Sequence, residues 1–228
     1  MQKLELKNVR KQFGHGLNQV TALDGIDFEA RSGELTLILG PSGSGKSTML
    51  TILGNLQKAT DGEVLLNGQN FENLTQKQSD DFRLKRIGFV LQSYNLVPYL
   101  TVKEQFDLVN KVKPKGNLDK QTFEEYIDKL GIRPLMNKYP GQLSGGQNQR
   151  VAIARALYTN PDFILADEPT AALDSERVKV VGGLFKDIAK EQDKAVVIVT
   201  HDLRLKEDAD RIYHLEDGKL SLEKGNQN

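Results

Sequence analysis

The chain has 228 residues, and its 31 basic side chains balance its 31 acidic ones, so the formal charge is zero. That disfavours proteins that neutralise many nucleic-acid phosphates, which need surplus Lys and Arg. Cysteine is absent, which excludes a disulfide framework and a thiolate metal site and suits a reducing cytoplasm. The hydrophobic fraction of 38% is enough for one large domain or a core with a small subdomain. No apolar run approaches the roughly 20 residues of a membrane-spanning helix, and MQKLELKNVRKQF lacks the apolar stretch of a signal peptide. The chain is expected to be soluble by itself, with no direct membrane insertion and any membrane role exerted through another protein.

In chain order, KLELKNV alternates apolar and polar residues and predicts a strand. Phe13 follows, and reads either as core or hairpin packing or as a flat ring able to stack on a base. LTLILG is a short, nearly continuous apolar run, the pattern of a strand buried on both faces. It leads into GPSGSGKST, and a helical pattern runs from Lys46 to Leu56. GEVLLNGQNF, with Asn67-Gly68, predicts a hairpin. IGFVLQ predicts a strand closed by Gln92. Between Ser93 and Tyr158 the strand signal nearly vanishes: TVKEQFDLVNKV, KQTFEEYIDKLG and QNQRVAIARAL are helical. FILAD and AVVIVTH are again buried-strand runs, separated by a helix from Ser175 to about Gln192. RIYHLEDGKLSL, with Asp217-Gly218, predicts a second hairpin. Strands alternating with helices imply a mainly parallel sheet with right-handed crossovers, whose ligands sit beyond the carboxyl ends of the strands.

Gly40, Gly45, Lys46 and Ser47 fit G-x-x-x-x-G-K-[ST] between a strand and a helix. Glycines let backbone N–H groups curl around phosphates, and the helix start adds partial positive charge. Lys46 would reach the β- and γ-phosphates, and the Ser47 hydroxyl would ligate Mg²⁺. FILADEP ends a strand in Asp167, where a carboxylate can hold Mg²⁺ through water. Glu168 follows as the candidate general base; taken alone, Asp-Glu at a strand end is more often the start of a solvated loop. Gln92 and His201 both close strands at the ligand-bearing edge, although a single His is more often a cap or core residue. Asp174, in TAALDS, reads as the N-cap region of the next helix or as part of the same constellation. LSGGQNQRVAIARAL, from Leu143 to Leu157, is a second glycine-rich helix start. A plain N-cap at Ser144 leaves Gly-Gly-Gln unexplained.

This constellation resembles the nucleotide-binding subunits of ABC transporters, over nearly the whole chain and in the family's order. The resemblance implies an α/β P-loop NTPase (RecA-like) fold: a parallel-sheet core with an antiparallel β subdomain and a helical insertion. Residues 1–92 and 157–228 are then the β subdomain plus core, and 93–156 the helical subdomain carrying the signature, all within a single ABC ATPase domain. It implies ATP and Mg²⁺ as the bound species. Phe13 falls at the adenine-stacking A-loop. Gly40, Pro41, Ser42, Gly43, Ser44, Gly45, Lys46, Ser47 and Thr48 are the Walker A motif. Gln92 is the Q-loop glutamine, which joins Ser47 and Asp167 at the metal. Ser144, Gly145, Gly146 and Gln147 belong to the signature, Phe163 to Asp167 are Walker B, Glu168 is the catalytic glutamate, Asp174 the D-loop aspartate and His201 the H-loop switch.

In that family two subunits pair head to tail, so each signature covers the ATP held by the other's Walker A. A second partner, a separate transmembrane permease, docks near the Q-loop, which points to Tyr94, Pro98 and Tyr99; the subunit lies peripherally on the cytoplasmic face of the membrane. Two departures appear: Phe13 stands where Tyr is common, which keeps the ring and loses a hydroxyl, and Asn148 where Gln is frequent. Among ABC classes the chain looks most like the macrolide-exporter, lipoprotein-releasing and peptide-resistance group. In LQSYNLVPYLTVKEQ, TILGNL and HDLRLKEDADRIYHLEDGKL it is similar to bacterial haem-regulated efflux ATPases. Efflux or mechanotransmission of an amphipathic or toxic compound is the leading expectation, and regulation of cell-wall or division machinery the alternative.

Overall fold

The computed structural model describes residues 2–14 and 16–225. In chain order its elements are β1 (Lys3–Phe13), β2 (Val20–Arg31), β3 (Leu35–Leu39), α1 (Lys46–Leu53), β4 (Asp61–Leu66), β5 (Gln69–Asn70), α2 (Gln76–Arg86) and β6 (Ile87–Val90). They continue with α3 (Val102–Val112), α4 (Lys120–Lys129), α5 (Gly145–Tyr158), β7 (Phe163–Asp167), α6 (Ser175–Glu191), β8 (Ala195–Thr200), β9 (Arg211–Glu216) and β10 (Lys219–Lys224).

Strands β3, β7 and β8 are buried at every residue, because both faces of their sheet are covered. Alternate residues of each strand serve different cores. Leu35, Leu37, Ile164, Val196 and Ile198 pack with side chains of α3 to α6. Ile38, Leu165, Val197 and Val199 pack with Met49, Leu50 and Leu53 of α1 and with Leu4, Leu6 and Phe28 of β1 and β2. The strand order is β10-β9-β3-β8-β7-β6, parallel throughout except the β9–β10 hairpin. A second, antiparallel sheet has the order β2-β1-β4-β5. The order jumps between β3 and its neighbours place the ends of β3, β7 and β8 side by side, at the switch point where ligands of such sheets collect.

Among the described residues no strand lies between β6 and β7. The helices there share the core of the parallel sheet: Val102, Phe106, Tyr126 and Val151 belong to the same cluster as Leu35 and Ile164. The boundary expected between residues 156 and 157 falls inside α5. Strand β6 stops at Val90, so Gln92 stands in the loop beyond it rather than closing the strand. α1 ends at Leu53, short of the Leu56 that the periodicity suggests, because Gly54 closes it.

Candidate functional site

The turn between β3 and α1 is shaped by its neighbours. A Cβ at Gly40 would lie 2.1 Å from the Leu215 carbonyl oxygen, and one at Gly45 would lie 2.4 Å from that of Ala22. Gly45 also takes φ +100°, and Gly43 takes φ +83° with open space beside it. Gly45 is the N-cap of α1, and no side chain caps that helix. The N–H groups of its first turn are therefore left for a ligand. Lys46 is 7% exposed, and its Nζ donates to the carbonyls of Gly40 (2.7 Å) and Pro41 (2.8 Å). The Ser44 hydroxyl is buried without a partner.

These residues open onto a cleft of about 560 Å³, whose lining includes Ser42, Gly43, Gly45, Lys46, Ser47 and Thr48 together with Gln92, Asp167, Glu168 and His201. Asp167 ends β7 and is 7% exposed. Burial pushes its carboxyl above the usual carboxylate range, while a hydrogen bond from Ser47 and the nearby Lys46 ammonium pull the other way. Glu168 turns through a left-handed backbone, φ +49°, fixed by its N–H bond to the Val199 carbonyl at 2.9 Å. One carboxylate oxygen accepts from the Thr200 hydroxyl at 2.5 Å, and the other lies 2.9 Å from His201 Nδ1. The Glu168 side chain is largely buried, whereas that of His201 is 73% exposed and able to turn.

Ser47 and Asp167 present a hydroxyl and a buried carboxylate to one space. Those hard oxygen donors fit Mg²⁺, which keeps its remaining positions for phosphate oxygens and water. Among the described residues no group of three or more His, Cys, Asp and Glu side chains is placed to hold a metal ion.

Other expected residues lie outside this cleft. Phe13 is 41% exposed at the end of β1, with Lys11 Nζ 5.2 Å from its ring centre. Asp174 caps α6, accepting from the Arg177 N–H at 2.8 Å. Ser144 caps α5 reciprocally: its hydroxyl accepts from the Gln147 N–H at 3.2 Å, and Gln147 Oε1 accepts from the Ser144 N–H at 2.9 Å. A cap therefore does explain Gln147, contrary to the sequence reading. Packing explains Gly146, where a Cβ would lie 2.7 Å from the Ala172 carbonyl oxygen. Gly145 is exposed, and a Cβ there would meet nothing closer than 3.6 Å; its smallness serves no contact within the chain.

Near the Q-loop, Tyr99 is 85% exposed and Pro98 is exposed. The buried Gln105 holds their turn, bonding the Val97 N–H (3.0 Å) and the Val97 and Leu100 carbonyls (2.8 and 3.1 Å). Tyr94, named above with Pro98 and Tyr99 for permease docking, is instead half-buried at φ +57°, with its hydroxyl toward Gly145. Leu96 packs on the helical side of the core.

Several residues of this neighbourhood escape a motif reading. Asp202 accepts from Thr170 at 2.8 Å, twice from the Arg204 guanidinium at 2.8 Å each, and from the Arg204 N–H at 3.1 Å. Burial pushes its carboxyl up, but the Arg204 and Thr170 hydrogen bonds outweigh that and hold it low. Arg204 in turn donates to Ser175 at 3.1 Å, tying the loop after β8 to the start of α6. Gln149 and Arg155 of α5 grip loops on two sides, Gln149 at Glu168 and Ala172, Arg155 at Tyr94 and Asn95. A signal existed for Gln149: it shares the buried face of α5 with Ala152, Ile153 and Ala156, where an amide needs partners.

A family model described as ABC transporter matches residues 23–171. A protein of Staphylococcus aureus (strain MRSA252), named as a hemin import ATP-binding protein, HrtA, is 46% identical over 222 residues, 96% of this chain and 99% of that one. The dimeric structure of MJ0796, a bacterial ABC transporter cassette, superposes with a TM-score of 0.89 at 40% identity, covering 99% of this chain and 100% of that one. A post-hydrolysis state of the same ATP-binding cassette, bound to ADP and Pi, superposes with a TM-score of 0.88 at 40% identity, covering 99% and 100%. With the P-loop NTPase fold in place and its phosphate cradle facing the acidic end of β7, the chain belongs to the ABC transporter ATP-binding family and is an ABC ATPase.

Proposed function

We propose that this ATPase powers a separate membrane permease, with the following roles at its site. Lys46 exchanges the carbonyls of Gly40 and Pro41 for the β- and γ-phosphates, and the N–H groups from Gly43 to Thr48 surround the same oxygens. Ser47, Asp167 and Gln92 hold Mg²⁺, which when bound neutralises charge on the phosphate oxygens. Glu168 takes the proton of the attacking water. Thr200 fixes one oxygen of that carboxylate and His201 the other, and the exposed imidazole can swing toward the γ-phosphate. Phe13 stacks on the adenine from outside the cleft. The observation that carries this reading is the arrival of Lys46, the adjacent Asp167 and Glu168, and His201 from three separate segments on one cleft. Glu168→Gln keeps the shape and removes the basicity, so turnover should fall by about 10²–10⁴ while ATP binding persists. Near-normal hydrolysis would remove Glu168 from the role.

Ser144, Gly145 and Gly146 form half of a second site, and two copies pair head to tail so that each signature covers the other's nucleotide. The exposed Gly145, which has room for a Cβ within its own chain, supports this, as does the dimeric state of the MJ0796 cassette. Asp174 lies in the same interface. No helix among the described residues is long and apolar enough to cross a membrane, and the proposed location is the cytoplasmic face, against the permease. Pro98 and the exposed Tyr99 dock it, and residues 93–156 carry the motion outward. Tyr99→Ala should leave a folded, ATP-binding subunit that no longer co-purifies with the permease; a stable complex would return Tyr99 to a structural role.

The transported compound is proposed to be of the haem class, on the strength of the relative named for hemin, and the direction to be export, although that name says import. Deleting the gene separates the two. Export predicts hypersensitivity to added haem, and import predicts poor growth on haem as the iron source.

A further inference from the structure

Gln149 lies on the apolar face of α5 and is 2% exposed. A buried primary amide is costly unless both of its ends are paired. Here both are: Nε2 donates to the Glu168 carbonyl at 2.7 Å, and Oε1 accepts from the Ala172 N–H at 3.0 Å. These partners are the two ends of the loop 168–172. The Glu168 carbonyl also accepts from the Ala171 N–H at 3.2 Å. Glu168 itself sits at φ +49°, a conformation that a glutamate keeps only where its surroundings hold it. The same loop packs on the signature, since the Ala172 carbonyl approaches Gly146 too closely to admit a Cβ. The start of α5 and the catalytic loop of one chain are thus joined by a pair of hydrogen bonds and a backbone contact.

We infer that Gln149 is a positioning residue that links the two composite sites of a dimer. In one chain, Ser144 to Gly146 face the partner's nucleotide while Glu168 faces the chain's own. α5 moves as a rigid rod, so seating its first turn on the partner's phosphates carries the Gln149 amide with it. Because the amide is bonded at both ends, the Glu168 carbonyl and the Ala172 N–H follow, and engagement of the signature shifts the carboxylate toward its working position. Filling of one site then readies the other. This inference rests on the roles proposed above for Glu168 and the signature.

The test uses the full chain, with Gln149→Met, which keeps volume and removes both bonds, and Gln149→Asn as a conservative second variant. ATP affinity and KM are expected to stay at wild-type values while kcat falls about 10- to 100-fold in Gln149→Met. The Hill coefficient for ATP should drop toward 1, with Gln149→Asn intermediate. A readout independent of activity is hydrogen exchange of the segment holding the Ala172 amide. In a Glu168→Gln background, ATP should slow that exchange, and Gln149→Met should abolish the slowing. A folded Gln149→Met chain with wild-type kcat, Hill coefficient and exchange overturns the inference, as does a kcat loss that merely tracks lost ATP binding. Near-normal hydrolysis by Glu168→Gln would instead defeat the underlying assignment of the base.

Discussion

Two glycine-rich turns open helices in this molecule, and they are finished differently. At Gly45 the helix has no side-chain cap, and its first turn faces a cleft that also holds the buried Lys46 and Asp167. At Ser144 a reciprocal cap closes the helix start, and Ser144 and Gly145 lie exposed. The first turn gathers charge, burial and open N–H groups, and can hold a phosphate by itself. The second offers a neutral, reciprocally capped helix end that faces outward, which is why a role for it is proposed only against a second copy. Glycine content alone does not distinguish them; the neighbours of each glycine do.

The largest effect that tests this contrast is at Lys46. Lys46→Ala removes charge-assisted contacts worth about 1.5–3 kcal/mol, so calorimetry should show ATP affinity down by about 10- to 150-fold. Ser144→Arg should leave monomer affinity unchanged. Next come the signature glycines. Gly146→Ala drives a methyl into the Ala172 carbonyl and should cost about 1–3 kcal/mol of stability in thermal or denaturant unfolding. Gly145→Ala should spare the fold and impair only ATP-driven dimerisation; equal destabilisation by both would erase the distinction drawn between them.

Asp167→Asn is expected to raise the unfolding temperature of the nucleotide-free chain, each kcal/mol of relief being about 2–4 °C, while weakening Mg²⁺-dependent ATP binding. Burial holds this carboxyl above its ordinary value. Its contribution to stability is therefore full below the unfolded pKa and lost as pH rises through the folded one. That part of the pH dependence should vanish in the variant, and unchanged pH dependence would deny the buried charge. The smallest effect belongs to Phe13→Ala. Losing an exposed stacking ring costs about 1 kcal/mol, or about fivefold, and should weaken ATP but not inorganic triphosphate, whereas Lys46→Ala weakens both.

Legibility in the sequence followed the range of the interactions. β3, β7 and β8 are readable because both faces are apolar, and the motifs at their ends because each is a few consecutive backbone positions. β2 is harder: Asp24-Gly25 looks like a turn, but it sits in mid-strand beside register shifts in β1, with Gly25 at φ +70°. α2 has no apolar stripe, since Phe82 alone is buried, and its signals are the Thr75–Gln78 capping box and the basic last turn. At the site, Lys46, Asp167, Glu168 and His201 are legible one by one. The Thr200–Glu168, Thr170–Asp202 and Gln149–Ala172 bonds are not, because each joins segments that only the folded sheet brings together.

The central claim is that the two turns complete each other across a dimer, and mixing two inactive chains tests it most directly. A heterodimer of Lys46→Ala and Ser144→Arg contains one site with both lesions and one with neither. Each variant alone should hydrolyse almost no ATP. An equimolar mixture should recover activity above their sum, up to about one quarter of wild type if pairing is random and the sites act independently, and less by whatever the Gln149 link carries, because the intact site uses the Glu168 of the Ser144→Arg chain. Wild-type hydrolysis by monomeric Ser144→Arg, or a mixture no more active than its parts although heterodimers form, would contradict it.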